Sequence, residues 1–362
     1  MNLGVSLRAP LERRYGPDGY AAIRNALDRY TASVADGAVI AMLDDEDEAR
    51  QFGFVTAAAT PPSIVAAVRQ LREQLPAVTS LLLIGGDTLV PVWQLDNPVT
   101  DRRADPDRVV LSDNPYGTTA DSLEEYVAPA LPVGRLIEPP GRSASDVVAM
   151  IDATAGHHQR FTRRPGSAAI FNREWEEPAR EVMNLLMPTV DEHQTPGYQI
   201  DAGNIDDLHR GFVYFNLHGF PDDTAWKAFD PVRGAFATVL TPAALTTLEM
   251  SGAIVFAENC YATLVPDGRA TCATEMLRRG AGAFVGPTGL SFGSHIRPDL
   301  LLDNSDFLAR NFIGRVVSGT RTGDALAAAR HDYVTDASVS PFNPFKLKTL
   351  LQYRLLGDPS LN

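Results

Sequence analysis

Short apolar runs alternate along this chain with stretches whose apolar residues return every three or four positions. The first kind reads as buried strands and the second as amphipathic helices. Residues 38–43 (AVIAML), 81–84, 168–171, 212–217, 253–257 and 283–285 are predicted strands. Helices are predicted over 20–34, 63–75, 143–161, 178–186, 242–250, 271–279 and 321–333, the second opened by Pro61-Pro62. Residues 96–125 read as irregular and polar, and 350–356 as a last strand-like piece running into Gly357. The pattern runs once as far as Thr162-Arg-Arg-Pro-Gly166 and then restarts. The expected fold is α/β: two adjoining subdomains, 1–164 and 165–362, with mostly parallel sheets flanked by helices.

Composition narrows the partners. A length of 362 residues suits one large α/β unit or two smaller ones. The formal charge of −13 argues against nucleic acid, which needs an excess of Lys and Arg, and favours long-range attraction of basic peptides. The first residues lack the apolar core of a signal peptide, and no run approaches the roughly 18 apolar residues of a membrane span. With only Cys260 and Cys272 there is no disulfide framework, so a reducing cytoplasm is the expected location, away from membranes. The acidic run from Asp44 to Glu48 lacks the spaced ligands and glycine of a calcium loop. Gly85-Gly86-Asp87-Thr88 has the wrong spacing for either phosphate fingerprint. His157, His158 and His331 read as polar helix faces and His193 as loop, while His209 and His295 lack a nearby Cys or carboxylate at metal spacing, so no metal-ligand cluster is read. Neither metal nor cofactor is expected.

Two of the apolar runs end in residues able to do chemistry. Phe212-Val-Tyr-Phe-Asn-Leu leads into His218-Gly219, and Ala253-Ile-Val-Phe-Ala leads into Glu258-Asn259-Cys260. Ligands of open α/β sheets bind beyond the carboxyl ends of strands, so these two ends can face one crevice. An imidazole has the right range to take a thiol proton near neutral pH, and backbone N–H groups near Gly219 and Cys260 can hold an oxyanion. A free Cys is more often a small buried hydrophobe, which is the reading given to Cys272 in its predicted helix. A Ser nucleophile at Ser291, in Gly289-Leu-Ser-Phe-Gly293, needs a strand-to-helix elbow that Pro287 and Pro298 interrupt. That match is read as accidental.

Several motifs in order sharpen this: LLLIGGDTLVPV from Leu81, SDNPYG from Ser112, PVGRL from Pro132, NLHG from Asn216, ENC from Glu258, GAGAFVG from Gly280 and LGDPSL from Leu356. Together they resemble the gingipain-type cysteine peptidases, in the clan that also holds caspases, legumain and clostripain. The first 35 or so residues carry no such likeness. The resemblance implies a caspase/gingipain-like fold with the reactive residues in the second subdomain. It makes Cys260 the nucleophile, His218 the base, Gly219 an oxyanion donor and Glu174 the acid that orients the imidazole. It also implies a protein or peptide substrate with a basic P1 residue, Arg favoured, read by Glu176 or Glu177 with Ser291 and Phe292 lining the pocket. An activating or inhibitory protein partner, or self-cleavage near Arg163-Arg164 or Arg269, is the expected brake. A silent peptidase serving as a binding scaffold, and a thiol-dependent acyl transferase, are the alternatives.

Overall fold

The computed structural model describes the chain apart from residues 139–142, 161–163, 187–189, 267, 295–301 and 337–342. Among the described residues one sheet has ten strands: β1 Asn2–Ser6, β2 Ala38–Met42, β3 Ser80–Ile84, β4 Val133–Leu136, β5 Ser167–Asn172, β6 Val190–Thr195, β7 Phe212–Asn216, β8 Ile254–Ala257, β9 Ala283–Pro287 and β10 Tyr353–Gly357. Their order across the sheet is β2-β1-β3-β4-β10-β9-β8-β7-β5-β6. β10 runs parallel to β4 and antiparallel to β9, and the other neighbours run parallel. The two expected passes are therefore two halves of one continuous sheet pointing in opposite directions, with β10 as the seam.

Both faces of the sheet are covered, which is why the strands read as unbroken apolar runs. In the C-terminal half Val213, Phe215, Val255 and Ala257 pack on one face with Met276 of the helix Cys272–Arg278. Phe212, Tyr214, Ile254 and Phe256 pack on the other with Phe312 and Leu326 of the helices Asn304–Val317 and Thr322–Thr335. The N-terminal half repeats this: Leu81 and Leu83 face the helix Pro61–Gln74, while Leu82 and Ile84 face the helices Arg8–Ser33 and Ala144–Arg160. The division at residue 164 falls between the helix Ala144–Arg160 and β5.

Several expectations need correction. β1, β4 and β6 were not predicted; β6 (VDEHQT) is a polar edge strand paired on one side only, so alternation of apolar residues never develops there. His193 accordingly lies in this strand, not a loop. Within the segment 96–125, Val109–Ser112 pairs antiparallel with the preceding strand Trp93–Asp96, and a short helix, Leu123–Val127, begins at its end. The stretch after His218, for which no strand was predicted, forms a three-stranded antiparallel sheet of His218–Phe220, Asp223–Asp230 and Ala235–Leu240. The helix expected over 242–250 is a 3₁₀ turn, Pro242–Thr247. Helices Asn304–Val317 and Pro344–Gln352 were missed, and the second absorbs Leu350 and Leu351, so the final strand starts at Tyr353. The first helix runs Arg8–Ser33 and is broken at Gly16 (φ 73°) ahead of Pro17.

The motifs around the seam are structural joints. Arg135 on β4 is fully buried and grips Asp113 through two bonds (Nε–Oδ2 2.9 Å, Nη2–Oδ1 2.6 Å), while Nη1 donates to the carbonyls of Gly85 and Val90 at 2.8 and 2.7 Å. Arg354 on β10 donates to Asp87 (2.9 Å) and to the Thr263 carbonyl. Asp358, just beyond β10, is buried and accepts from Tyr30 (2.6 Å) and Asn2 (3.0 Å), with His158 Nε2 at 2.7 Å. His158 thus belongs to a buried joint and not to a polar helix face. The acidic turn is capping chemistry: Asp45 accepts from the N–H groups of Asp47 and Glu48 at the start of the helix Glu46–Phe52.

Candidate active site

β7 and β8 are neighbours in parallel register, Phe215 beside Ala257, so the chain leaves both strands at the same edge. The two departing loops are laced together. Leu217 N–H donates to Asn259 Oδ1 at 2.8 Å. The backbone of Gly219 lies on that of Cys260, where any larger residue would collide; glycine alone allows this approach. Glu258 anchors the second loop from below, accepting from Tyr214 Oη and Ser305 Oγ, both at 2.7 Å. Burial, with Asp306 alongside, raises the Glu258 carboxyl well above its ordinary range.

His218 Nε2 lies 2.8 Å from Glu174 Oε1 and 3.4 Å from Asn172 Nδ2. Glu174 sits in the 3₁₀ turn Arg173–Trp175 that follows β5, the strand next to β7. The imidazole is held between the Trp175 ring (centroids 4.5 Å apart) and Phe236 (4.9 Å, edge-on) from the strand Ala235–Leu240. The bond to Glu174 assigns the ring proton to Nε2 and leaves the Nδ1 lone pair free to act as a base. Burial lowers the pKa of His218 from 6.5, and the Glu174 charge opposes the shift.

Cys260 is partly exposed. Its Sγ accepts from the Ser291 N–H at 3.2 Å and stands 3.7 Å from the Ser291 carbonyl. Burial pushes the thiol up to about 11, against the opposing pull of the Ser291 N–H and Lys348. Both shifts, the thiol upward and the imidazole downward, favour the neutral forms of the two groups. Cys272 is buried at the start of its helix, reaches the Thr224 carbonyl at 3.5 Å, and packs within the core.

The structure thus brings Glu174, His218, Gly219, Cys260 and Ser291 to one edge of the sheet. Ser291 lies in an irregular segment after β9, and its Oγ pairs with Tyr353 Oη at 2.9 Å. That is no nucleophile elbow. The Phe292 ring rests edge-on against Phe345 at 4.7 Å. Glu176 and Glu177 open the helix Glu176–Met183, where carboxylates suit the helix dipole. Glu176 accepts from Gln194 at 2.6 Å and pairs with Arg180 at 3.1 Å, whereas Glu177 is exposed. Trp175, Phe236, Asp107 and Lys348 also border the site and carried no local signal in the sequence. Among the described residues no group of His, Cys, Asp and Glu is arranged to hold a metal.

A wide, mostly parallel sheet with a thiol and an imidazole at the ends of adjacent strands is the caspase-like α/β arrangement. Residues 18–362 match the model of peptidase family C25, and the chain belongs to that family, the cysteine peptidases of the gingipain type. A solved protease structure superposes on 99% of this chain and 78% of its own, with a TM-score of 0.60 and 13% identity. Separase of Saccharomyces cerevisiae, solved with securin, matches 80% of this chain and 16% of its own, at a TM-score of 0.44 and 9% identity. No curated protein matches the sequence.

Proposed function

We propose that this protein is a cysteine endopeptidase that works through Cys260, His218 and Glu174. The observation that carries the reading is the lacing of the two strand-end loops, which sets Gly219 on the Cys260 backbone, with Glu174 bonded to the His218 imidazole. In this mechanism Nδ1 of His218 takes the thiol proton as Sγ attacks the peptide carbonyl. Glu174 stabilises the imidazolium that results, and N–H groups of Gly219 and Cys260 receive the oxyanion. The imidazolium then protonates the leaving amine, and water hydrolyses the thioester with His218 again as base. Hydrolysis of a peptidyl-Arg-aminocoumarin by the wild-type chain, abolished in Cys260→Ala, is the expected result. Turnover that survives Cys260→Ala removes the proposal.

A basic P1 residue, with Arg preferred, follows from the family resemblance and suits the negative net charge. Glu177, exposed where Glu176 is engaged, is the better placed of the two acids to meet it. Glu177→Gln is expected to reduce cleavage after Arg more than cleavage after uncharged residues; an unchanged ratio for both Glu177→Gln and Glu176→Gln rejects these acids as the readers. The protonated Cys260 thiol favours a second, regulated reading, in which the resting chain is slow until a protein partner or a nick rearranges the site. Of the nicking candidates, Arg164 and Arg269 are described and Arg163 lies outside the described residues. We also keep the division at 164/165 and a cytoplasmic location as part of this proposal.

A further inference from the structure

We infer that Asp107, contributed by the N-terminal half, acts with Lys348 as a positioning pair that holds the Cys260 thiol against the Ser291 amide. The inference rests on Cys260 being the nucleophile. Lys348, on the helix Pro344–Gln352, is fully buried, with Nζ 2.5 Å from Asp105 Oδ2 and 2.8 Å from Asp107 Oδ2. A buried ammonium needs such partners, and these two carboxylates arrive from a loop 241 to 243 residues away in sequence. Asp107 then spends its remaining capacity on the site. Its Oδ1 accepts from Tyr261 Oη at 2.8 Å and its Oδ2 from the Leu290 N–H at 2.7 Å.

Those two contacts grip the residue after the nucleophile and the residue before the amide that touches it. Tyr261 adopts a left-handed backbone (φ 58°), uncommon for an aromatic residue, and this conformation must be held from outside. Its N–H donates to the Gly289 carbonyl at 2.9 Å, so ring and backbone are both tied to the same wall. Gly289 is what lets the carboxylate in, since a β-carbon there would stand 2.5 Å from Asp107 Oδ2. The same helix that carries Lys348 also fixes the wall directly, with Gln352 Nε2 donating to the Leu290 carbonyl at 3.1 Å. One carboxylate therefore couples the Cys260 turn to the Ser291 N–H, and the C-terminal half cannot complete its site without the N-terminal one.

The test separates positioning from plain electrostatics, using the full chain. Loss of the Asp107 charge alone favours the thiolate, because that charge opposes it; loss of an aimed Ser291 N–H disfavours the thiolate. The titratable groups around the thiol are His218, Tyr261, Asp107 and Lys348, with Asp105 behind the lysine. In Asp107→Asn, iodoacetamide labelling of Cys260 is expected to shift to higher pH. Its kcat for a peptidyl-Arg substrate should fall about ten- to a hundred-fold with KM nearly unchanged. A labelling profile shifted to lower pH with kcat unchanged overturns the inference. Tyr261→Phe keeps every charge and removes one bond; it should lower kcat several-fold at an unaltered melting temperature, and a wild-type kcat in this variant also overturns the inference. If wild-type turnover does not depend on Cys260, the peptidase reading fails instead, while the labelling profiles still decide whether the pair positions the thiol.

Discussion

A β-carbon on Gly219 would stand 1.9 Å from the carbonyl oxygen of Cys260 and 3.0 Å from its carbonyl carbon. Both contacts are with backbone, so no side chain can swing aside to make room. Gly219→Ala must part the two loops that carry the imidazole and the thiol. Roughly 1–3 kcal/mol of destabilisation is expected from the overpacking. The fold should survive while kcat/KM falls by at least about a hundred-fold, which paired circular-dichroism melts and peptide turnover would show. Near-normal activity would mean that the loops are not held in this register.

In the proposed mechanism the Glu174–His218 bond sets the acid side of the activity profile. Burial lowers the imidazole pKa below 6.5, and Glu174 partly restores it. The base must be neutral to accept the thiol proton, so activity should be lost as pH falls through this lowered value. In Glu174→Gln the restoring charge is gone, and the acid limb moves to still lower pH. The maximum rate drops about ten-fold or more, because the imidazolium formed in the reaction has lost its counter-charge. A limb that moves upward would contradict the assignment. The sign for stability is the same: the unfolded chain takes up a proton on His218 before the folded one does, so folding weakens as pH drops below about 6.5.

Thiol labelling reads the resting state. With Cys260 pushed up to about 11, iodoacetamide modification should be slow at pH 7 and climb steeply above pH 9. The folded state holds this proton more tightly than the unfolded value of 9.0, so the thiol's contribution to stability is complete below pH 9 and is lost towards pH 11. Mass spectrometry should find one modified Cys in the native chain and two in urea, because Cys272 is buried. Two modified residues under native conditions would refute this placement.

Asp358 is a test of the seam. Burial alone would raise its carboxyl, but His158, Tyr30 and Ser360 bring it below the usual value of 3.8. Its contribution is therefore present above pH 3.8 and lost as pH falls through the lowered value. Asp358→Ala strands Tyr30, Asn2 and His158 in the interior and is expected to cost roughly 3–5 kcal/mol in urea unfolding. A loss below 1 kcal/mol would reduce this joint to a surface-like contact.

The paired strand ends could be read from the chain because β7 and β8 are buried on both faces, so burial and sequence carry the same mark. His218 and Cys260 stand out as polar residues closing such runs. Glu174 had no mark of its own and came only through the family resemblance. The three-stranded sheet after His218 was illegible for a physical reason: Trp226 and Ala228 face the core, while Lys227 and Phe229 face outward in a polar, Pro-flanked context that reads as loop. Asp107 and Lys348 lie beyond any local pattern, since their meaning depends on a contact spanning 241 residues.

β10 has one further consequence, in time rather than space. It lies in the middle of the sheet, yet it is synthesised after the nine other strands. Until then β4 and β9 each present a bare edge, and the emerging chain holds two half-sheets with no common partner. The segment that closes this gap begins one residue after the helix that carries Lys348. Closing the sheet and seating the wall beside Cys260 are therefore a single event, which waits until the other nine strands have been made.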